Sequence, residues 1–242
     1  MNNVENKKVL IIGGTSGFGL ESCKTLLSKG ANVIITGRDK DKLENVVKEL
    51  KTINKNIEGK VLDASKEENI KSFFEEIENF DYMISMAGGF MGGGFLDTSY
   101  ETIKNAIDEK LFANLKIARY ASNKINDNGS LVFTAGSGGR ADNASGAIIG
   151  NESISTMVRG LAVELSKRKI RVNAVAPTWT KTPLWRNMNK DEVKGIEEYF
   201  SNTIPLGRTA TIEEVSSAYI FLIENSFING QTLKIDGGLT LL

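Results

Sequence analysis

The stretch Lys8-Val9-Leu10-Ile11-Ile12-Gly13-Gly14-Thr15-Ser16-Gly17-Phe18-Gly19-Leu20 decides the fold. A short apolar run, Val9 to Ile12, enters a glycine turn, and helix-forming residues follow, so the stretch reads as strand, tight turn, helix. Glycines at 13, 17 and 19 let the backbone approach a pyrophosphate closely, while the free amides of the new helix's first turn point at its negative charge. The turn is therefore a candidate dinucleotide cradle. Its spacing, Gly-x3-Gly-x-Gly, differs from the six-residue dinucleotide fingerprint, and glycine turns also arise simply to cap elements. A P-loop is disfavoured, because no Lys-Ser/Thr pair closes the turn.

Outward from that turn, the chain alternates. Leu20, Cys23, Leu26 and Leu27 recur at helical spacing up to Lys29-Gly30, and Ala31 to Thr36 is an apolar run suited to a buried parallel strand. Gly37-Arg38-Asp39 precedes a helix with Leu43, Val46, Val47 and Leu50 on one face. Ile57 to Leu62 reads as a strand ending in Asp63-Ala64, with Ile70, Phe73, Phe74 and Ile77 striping the next helix. Tyr82 to Met86 is a fourth strand, running into Ala87-Gly88-Gly89. A long helical region opens at Thr98-Ser99, with Ile103, Ile107, Leu111, Leu115 and Ala118 in register, and lasts to about Ile125. Ser130 to Thr134 and Ile170 to Ala176 are further strands, separated by the loop Ala135 to Gly146 and a helix from about Ala147 to Ser166. Thr178 to Thr209 looks irregular and partly helical, long enough to be functional. A helix over Thr211 to Glu224 and a strand over Thr232 to Ile235 complete the series. Such alternation predicts α/β architecture: one Rossmann-type, doubly wound parallel sheet of about seven strands with helices on both faces, spanning 1–242 as a single dinucleotide-binding domain with a substrate-loop region around 178–209. Ligands of such sheets bind beyond the carboxyl ends of the strands.

Composition narrows the function. Lys+Arg and Asp+Glu both number 30 in 242 residues, which leaves no electrostatic footprint for nucleic acid or an anionic membrane and favours a small-molecule substrate. The chain has no histidine, so a His-based metal site, a Ser-His triad and a His general base are excluded, and no metal is expected. The single cysteine, Cys23, cannot form an intrachain disulfide and suits a reducing cytosol. Met1 to Asn6 is polar rather than a signal peptide, and no apolar run reaches the length of a membrane span, so a cytoplasmic protein is expected.

The glycine turn, Asp63-Ala64, Ser85-Met86-Ala87-Gly88, Ala113-Asn114-Leu115-Lys116, Arg171-Val172-Asn173-Ala174-Val175-Ala176-Pro177, Pro205-Leu206-Gly207-Arg208 and Ile235-Asp236-Gly237-Gly238 form an ordered set. That set resembles the short-chain dehydrogenase/reductase family over nearly the whole chain. The resemblance implies a nicotinamide dinucleotide held by Gly13, Thr15, Ser16, Gly17, Phe18 and Gly19, with Asp63 and Ala64 at the adenine. It further implies cofactor contacts from Ala87, Gly88, Pro177, Thr178, Thr180 and Thr182, and an active-site asparagine at Asn114. A homodimer or homotetramer, paired through the helices Ser99 to Ile125 and Ala147 to Ser166, is implied as well.

The end of the second strand decides between cofactors. An acidic residue there would bond the adenosine ribose of NAD and repel a 2'-phosphate. This chain has Gly37 followed by Arg38, whose guanidinium matches a phosphate in charge and geometry, so NADP(H) is expected over NAD(H). The alternative is a solvated Arg38 ahead of a helix.

The family's catalytic tyrosine, and the lysine four residues later, fall on Ala147 and Asn151, neither of which can do their work. Thr134-Ala135-Gly136-Ser137 replaces the usual serine pair, with Ala135 or Thr134 at the serine's place depending on one gap and Ser137 as an alternative hydroxyl for the site. Ser137-Gly138-Gly139-Arg140, Gly150-Asn151 and Thr182-Pro183-Leu184-Trp185 are similar to a divergent branch that also lacks the pair. Tyr100/Lys104 and Tyr120/Lys124 have the right spacing but lie on the wrong element. Asn114, Ser137 and Asn151 are then the expected catalytic residues, with Trp179 and Trp185 walling an apolar substrate pocket and water, Ser137 or the substrate supplying a proton. The expected function is an NADP(H)-dependent oxidoreductase acting on a small carbonyl, alcohol or enone-type substrate at an atypical site. The alternatives are an isomerase, lyase or cyclase reusing the cleft, and an inactive NADP(H)-binding sensor or structural protein.

Overall fold

Val9 and Ile11 belong to one apolar cluster and Leu10 and Ile12 to another, which is why the first strand is apolar at every position: alternate side chains enter two different cores. In the computed structural model, which describes residues 3–89 and 91–242, this strand is β1 (Lys8–Ile12), hydrogen-bonded on one side to β2 (Asn32–Gly37) and on the other to β4 (Phe80–Ser85). Met1 and Asn2, of the polar N-terminal stretch, lie outside the described residues. Beyond β2 comes β3 (Ile57–Val61), and beyond β4 come β5 (Ile125–Thr134), β6 (Arg171–Pro177) and β7 (Thr232–Ile235). The seven strands lie in the order β3-β2-β1-β4-β5-β6-β7, and every pairing is parallel.

Helices cover both faces. α1 (Gly17–Ser28), α2 (Lys40–Leu50) and α8 (Ile212–Glu224) bury Cys23, Leu26, Leu43, Val215 and Tyr219 on the side of Val9 and Ile11. α3 (Glu67–Glu76), α5 (Ala113–Ala121) and α6 (Ser145–Glu164) bury Phe74, Ile117, Ile154 and Val158 on the side of Leu10 and Ile12. Their starts are marked by local side chains: Asp39 accepts from Lys42 N (3.0 Å) to cap α2, and Thr211 with Glu214 forms a reciprocal capping box on α8. Arg171, 7% exposed, donates from β6 to Leu222 O (2.6 Å) and Ile223 O (2.7 Å), answering carbonyls at the end of α8.

The helical region expected over 98–125 is broken. α4 (Tyr100–Ile107) runs through a π-helical turn, Asp108–Phe112, into α5, which ends at Ala121. Asn114 Nδ2 donates to the carbonyl of Lys110 (2.7 Å), and this inserted side chain accompanies the widened turn. Ile125 belongs to the sheet because Phe80 N donates to Lys124 O (3.2 Å), drawing the chain into β5 five residues before the expected start at Ser130. The 178–209 segment is partly helical as expected, with a 3-10 turn at Pro183–Trp185 and α7 (Lys190–Thr203).

Candidate functional site

β1 has its helix on one face and β4 has its helices on the other, so the connections leaving their carboxyl ends diverge and open a crevice there. The glycine turn forms one wall. Gly13 has φ +85°, and a Cβ on Gly19 would lie 2.3 Å from Gly13 O, so that crossing of turn and helix admits only glycine. The first amide of α1 to be used is that of Leu20, on Ser16 O (3.2 Å). Those of Gly17, Phe18 and Gly19 have no acceptor among the described residues, with no acidic side chain in the first turn and Ser16's hydroxyl making no cap. An anionic pyrophosphate fits this wall. Thr182 arches over it, its Cβ 3.7 Å from where a side chain on Gly17 would begin.

At the end of β2 no acidic side chain is present. A Cβ on Gly37 would stand 2.7 Å from the Thr15 methyl group, so a side chain of any kind there would have to displace Thr15. Arg38 beside it is exposed. Across the gap, hydrogen bonds from the Ser65 hydroxyl (2.7 Å) and amide (3.1 Å) hold the Asp63 carboxyl below the usual range, with the nearby Arg38 guanidinium adding to the effect. Ala64, at the end of the same loop, packs partly buried against the core.

The end of β4 is tied to α5 by Asn114, which is fully buried. Its Oδ1 accepts from Ser85 Oγ (2.7 Å), and its Nδ2 donates to Ala87 O (3.1 Å) and Lys110 O (2.7 Å). Asn114 therefore fastens the frame, with its amide protons spent inside it. Thr134 Oγ1 is likewise engaged, with Ser85 O (2.8 Å) and the Tyr219 hydroxyl (2.9 Å), and Ala135 is buried. Ser137 is the first hydroxyl of that loop to stand at the crevice, donating to Ala176 O (3.0 Å). Asn151, half-buried on α6, lies against the same loop, its Nδ2 2.5 Å from the position of a Cβ on Gly136. Ala147, in the first turn of α6, presents only a methyl group.

One residue of this wall escaped the sequence reading. Lys110, 8% exposed, stands on the π-helical turn with its side chain along Gly88: a Cβ there would lie 2.4 Å from its Cδ and 3.0 Å from its Nζ. On the other side, a Cβ on Gly150 would lie 2.9 Å from the Lys110 Cβ. The signal was present, since 103, 107, 110 and 114 keep helical spacing and put a lysine on the stripe that faces the core.

The fourth wall is the segment after β6. Pro177 O accepts from Ser137 N (2.9 Å), and Thr180 Oγ1 donates to Thr178 O (3.1 Å). Thr178 Oγ1 is buried with no partner among the described residues, a group that a bound polar ligand would satisfy. Trp179 stacks on Trp185 (5.8 Å between ring centres) and on Phe200 (5.9 Å). Both indoles are thus packed into an aromatic stack that pins the segment to α7. The two spaced Tyr/Lys pairs stay out of the crevice: Tyr120 contacts Glu67 on α3 (3.3 Å), Lys124 donates to Ile77 O (3.0 Å), and Lys104 pairs with Asp108 (2.5 Å) on the surface. No cluster of three or more metal-ligating side chains, and no helix long and apolar enough to cross a membrane, occurs among the described residues.

Comparison with known proteins adds three findings. A family model described as enoyl-(acyl carrier protein) reductase matches residues 13–240. Carbonyl reductase family member 4 of Xenopus laevis is 30% identical over 248 residues, covering 98% of this chain and 99% of the relative, and the 3-oxoacyl-[acyl-carrier-protein] reductase of Mus musculus is 28% identical with 98% and 99% coverage. Among solved structures, a short-chain type dehydrogenase/reductase from Mycobacterium marinum superposes with a TM-score of 0.90 at 22% identity, covering 99% of this chain and 98% of that one, which shows a common fold.

Proposed function

The chain belongs to the short-chain dehydrogenase/reductase family, oxidoreductases that bind a nicotinamide cofactor, and on that premise we propose that it uses NADP(H) to interconvert a small carbonyl compound and its alcohol, or to reduce an enone, at an atypical active site. The observation that carries the cofactor choice is Gly37. With glycine where a ribose-binding carboxylate would start, the Thr15 methyl packed against it, and Arg38 exposed next to it, the β2 end suits a 2'-phosphate. The names of the relatives, a carbonyl reductase and a 3-oxoacyl reductase, support a carbonyl as the reacting group.

The orphan amides of Gly17 to Gly19 and the Ser16 hydroxyl hold the pyrophosphate, Asp63 and Ala64 border the adenine, and Ala87 and Gly88 border the nicotinamide ribose. Thr178, Thr180 and Thr182 close over the cofactor, with the Thr178 hydroxyl donated to it. Bound nicotinamide supplies or removes a hydride. The Asn151 amide and the Ser137 hydroxyl, once it turns from Ala176 O, hold the substrate's oxygen, Asn114 keeps both flanking segments in place, and the Trp179–Trp185–Phe200 stack gives the substrate an apolar, water-excluding border. Exposed apolar side chains on the helices outside β4 and β5, Tyr100 on α4, Phe112 on the π-helical turn and Val163 on α6, support pairing of copies through that face, which sedimentation at micromolar concentration tests.

Turnover of NADPH deuterated at carbon 4 with a panel of ketones, quinones and enones tests the function. Deuterium in the product is the expected result. Product formation without cofactor oxidation would make the protein an isomerase or lyase, and tight NADPH binding without any turnover would make it a sensor.

A further inference from the structure

Lys110 brings its ammonium to the crevice wall without a partner among the described residues. Its Nζ makes no hydrogen bond or ion pair among the described residues, and its stem fits between Gly88 and Gly150, each of which lacks the side chain that would collide with it. The groups packed around it are accounted for. On its own turn, Asp108 is paired with Lys104 on the surface and Glu109 is exposed, its carboxylate lying by Gly89. On α6 the nearest charged residue, Glu152, is exposed, and neither Met86–Gly89 nor Ala135–Gly139 carries a charge. Burial alone lowers its pKa to about 8.

An ammonium held among packed groups without a protein partner is costly and persists where it serves a site. This one is aimed along Gly88, at the crevice floor between β4 and α6, and is held there by a backbone that Asn114 clamps to Ser85 and Ala87. The lysine stem rests against Gly150, which precedes Asn151 on α6, and Asn151 in turn rests against Gly136, which precedes Ser137. These neighbouring segments of three elements border one end of the crevice, and of their polar groups Lys110 is the one with a proton acid enough to give up near neutral pH.

Resting on the oxidoreductase reading above, we propose that Lys110 is the proton donor to the substrate's carbonyl oxygen, supplied from the π-helical turn in a chain that has an alanine where the phenol would stand. In the reducing direction Lys110 releases one Nζ proton to the carbonyl oxygen as the carbonyl carbon takes a hydride from the reduced nicotinamide. The N–H electron pair stays on Nζ, the carbonyl becomes an alcohol, and the neutral amine regains its proton from water. Oxidation of an alcohol runs through the same atoms in reverse.

The test reads binding as well as rate. Equilibrium titrations of the wild-type protein with NADP+ and with NADPH are run from pH 6.5 to 9.5, and repeated on Lys110→Met. An ammonium at the nicotinamide end repels the oxidised, cationic ring, so NADP+ affinity should rise about tenfold through pH 8 while NADPH affinity holds within about twofold, and Lys110→Met should abolish the slope. With NADPH and an ortho-quinone as probe, Lys110→Met should lose at least about 100-fold in kcat at pH 7 with KM within about threefold. Should the variant not fold, the slope of the wild-type NADP+ titration decides alone. A flat titration, or a variant that keeps its kcat, overturns the role of Lys110 and leaves the oxidoreductase reading standing. Failure of the wild-type protein to bind either form overturns both.

Discussion

Replacing Lys110 by methionine should stabilise the protein at neutral pH, and the advantage should vanish in alkali. The stem is matched in length and the glycine-lined passage stays filled, while the buried charge is gone. In the folded protein the ammonium gives up its proton at about 8, whereas in the unfolded chain it does so at 10.5. That drop corresponds to about 3 kcal/mol at about 1.36 kcal/mol per pH unit. Below pH 8 the amine is protonated in both states, and the folded state bears the whole penalty. Between pH 8 and 10.5 the unfolded chain binds the extra proton, so wild-type stability rises with pH relative to the variant. Urea unfolding of cofactor-free protein at pH 7 and pH 10, at one protein concentration, measures both ends. For a slope near 3 kcal/mol per molar, the variant's midpoint should lie about 1 M higher at pH 7, and the two midpoints should approach each other at pH 10. Taking the difference between two proteins at each pH cancels every other titrating group. A wild-type protein more stable than the variant at pH 7, or a gap unchanged by pH, would refute an unpaired ammonium at this position.

Other consequences are open to simple assays. Arg38→Ala should weaken NADPH binding about 10- to 100-fold, the worth of a charge-assisted hydrogen bond, and leave NADH within about twofold in a fluorescence titration. Gly37→Asp should weaken both cofactors, because its Cβ meets the Thr15 methyl at 2.7 Å, and adding Thr15→Ser, which removes that methyl, should restore NADH but not NADPH binding. Arg171→Met strands the carbonyls of Leu222 and Ile223 and should cost about 3 kcal/mol in urea unfolding, with cofactor affinity in the surviving native protein unchanged.

The sheet, its parallel order and its two cores were legible because buried parallel strands are apolar at every position and the helices between them are apolar on one stripe. The glycine turn and Gly37-Arg38 could be placed for the same reason, since each follows directly from a strand end. What the linear pattern hid was the π-helical turn. Ile103, Ile107, Leu111 and Leu115 run in helical register straight through it, and only the three-dimensional clamp from Asn114 to Lys110 O reveals the extra residue. Lys110 was passed over because a lysine is ordinarily a surface residue, and the glycines that make room for it, Gly88 and Gly150, are distant from it in sequence. The residue pattern offers Trp179 and Trp185 as the wall of an apolar pocket, and it does not show that Trp179 stacks on Trp185 and on Phe200, a partner outside the local pattern.

That stack gives the molecule an optical property of its own. The chain has 2 tryptophans, and both sit in the segment between β6 and α7, so all indole emission reports on this one segment. Buried and stacked, they should emit towards the blue. Reduced nicotinamide absorbs where indole emits, so occupancy of the crevice is readable as quenching without a label. A loosening of this segment ahead of the sheet would appear as a red shift while the helical signal in circular dichroism stayed constant, separating the opening of the site from the unfolding of the scaffold.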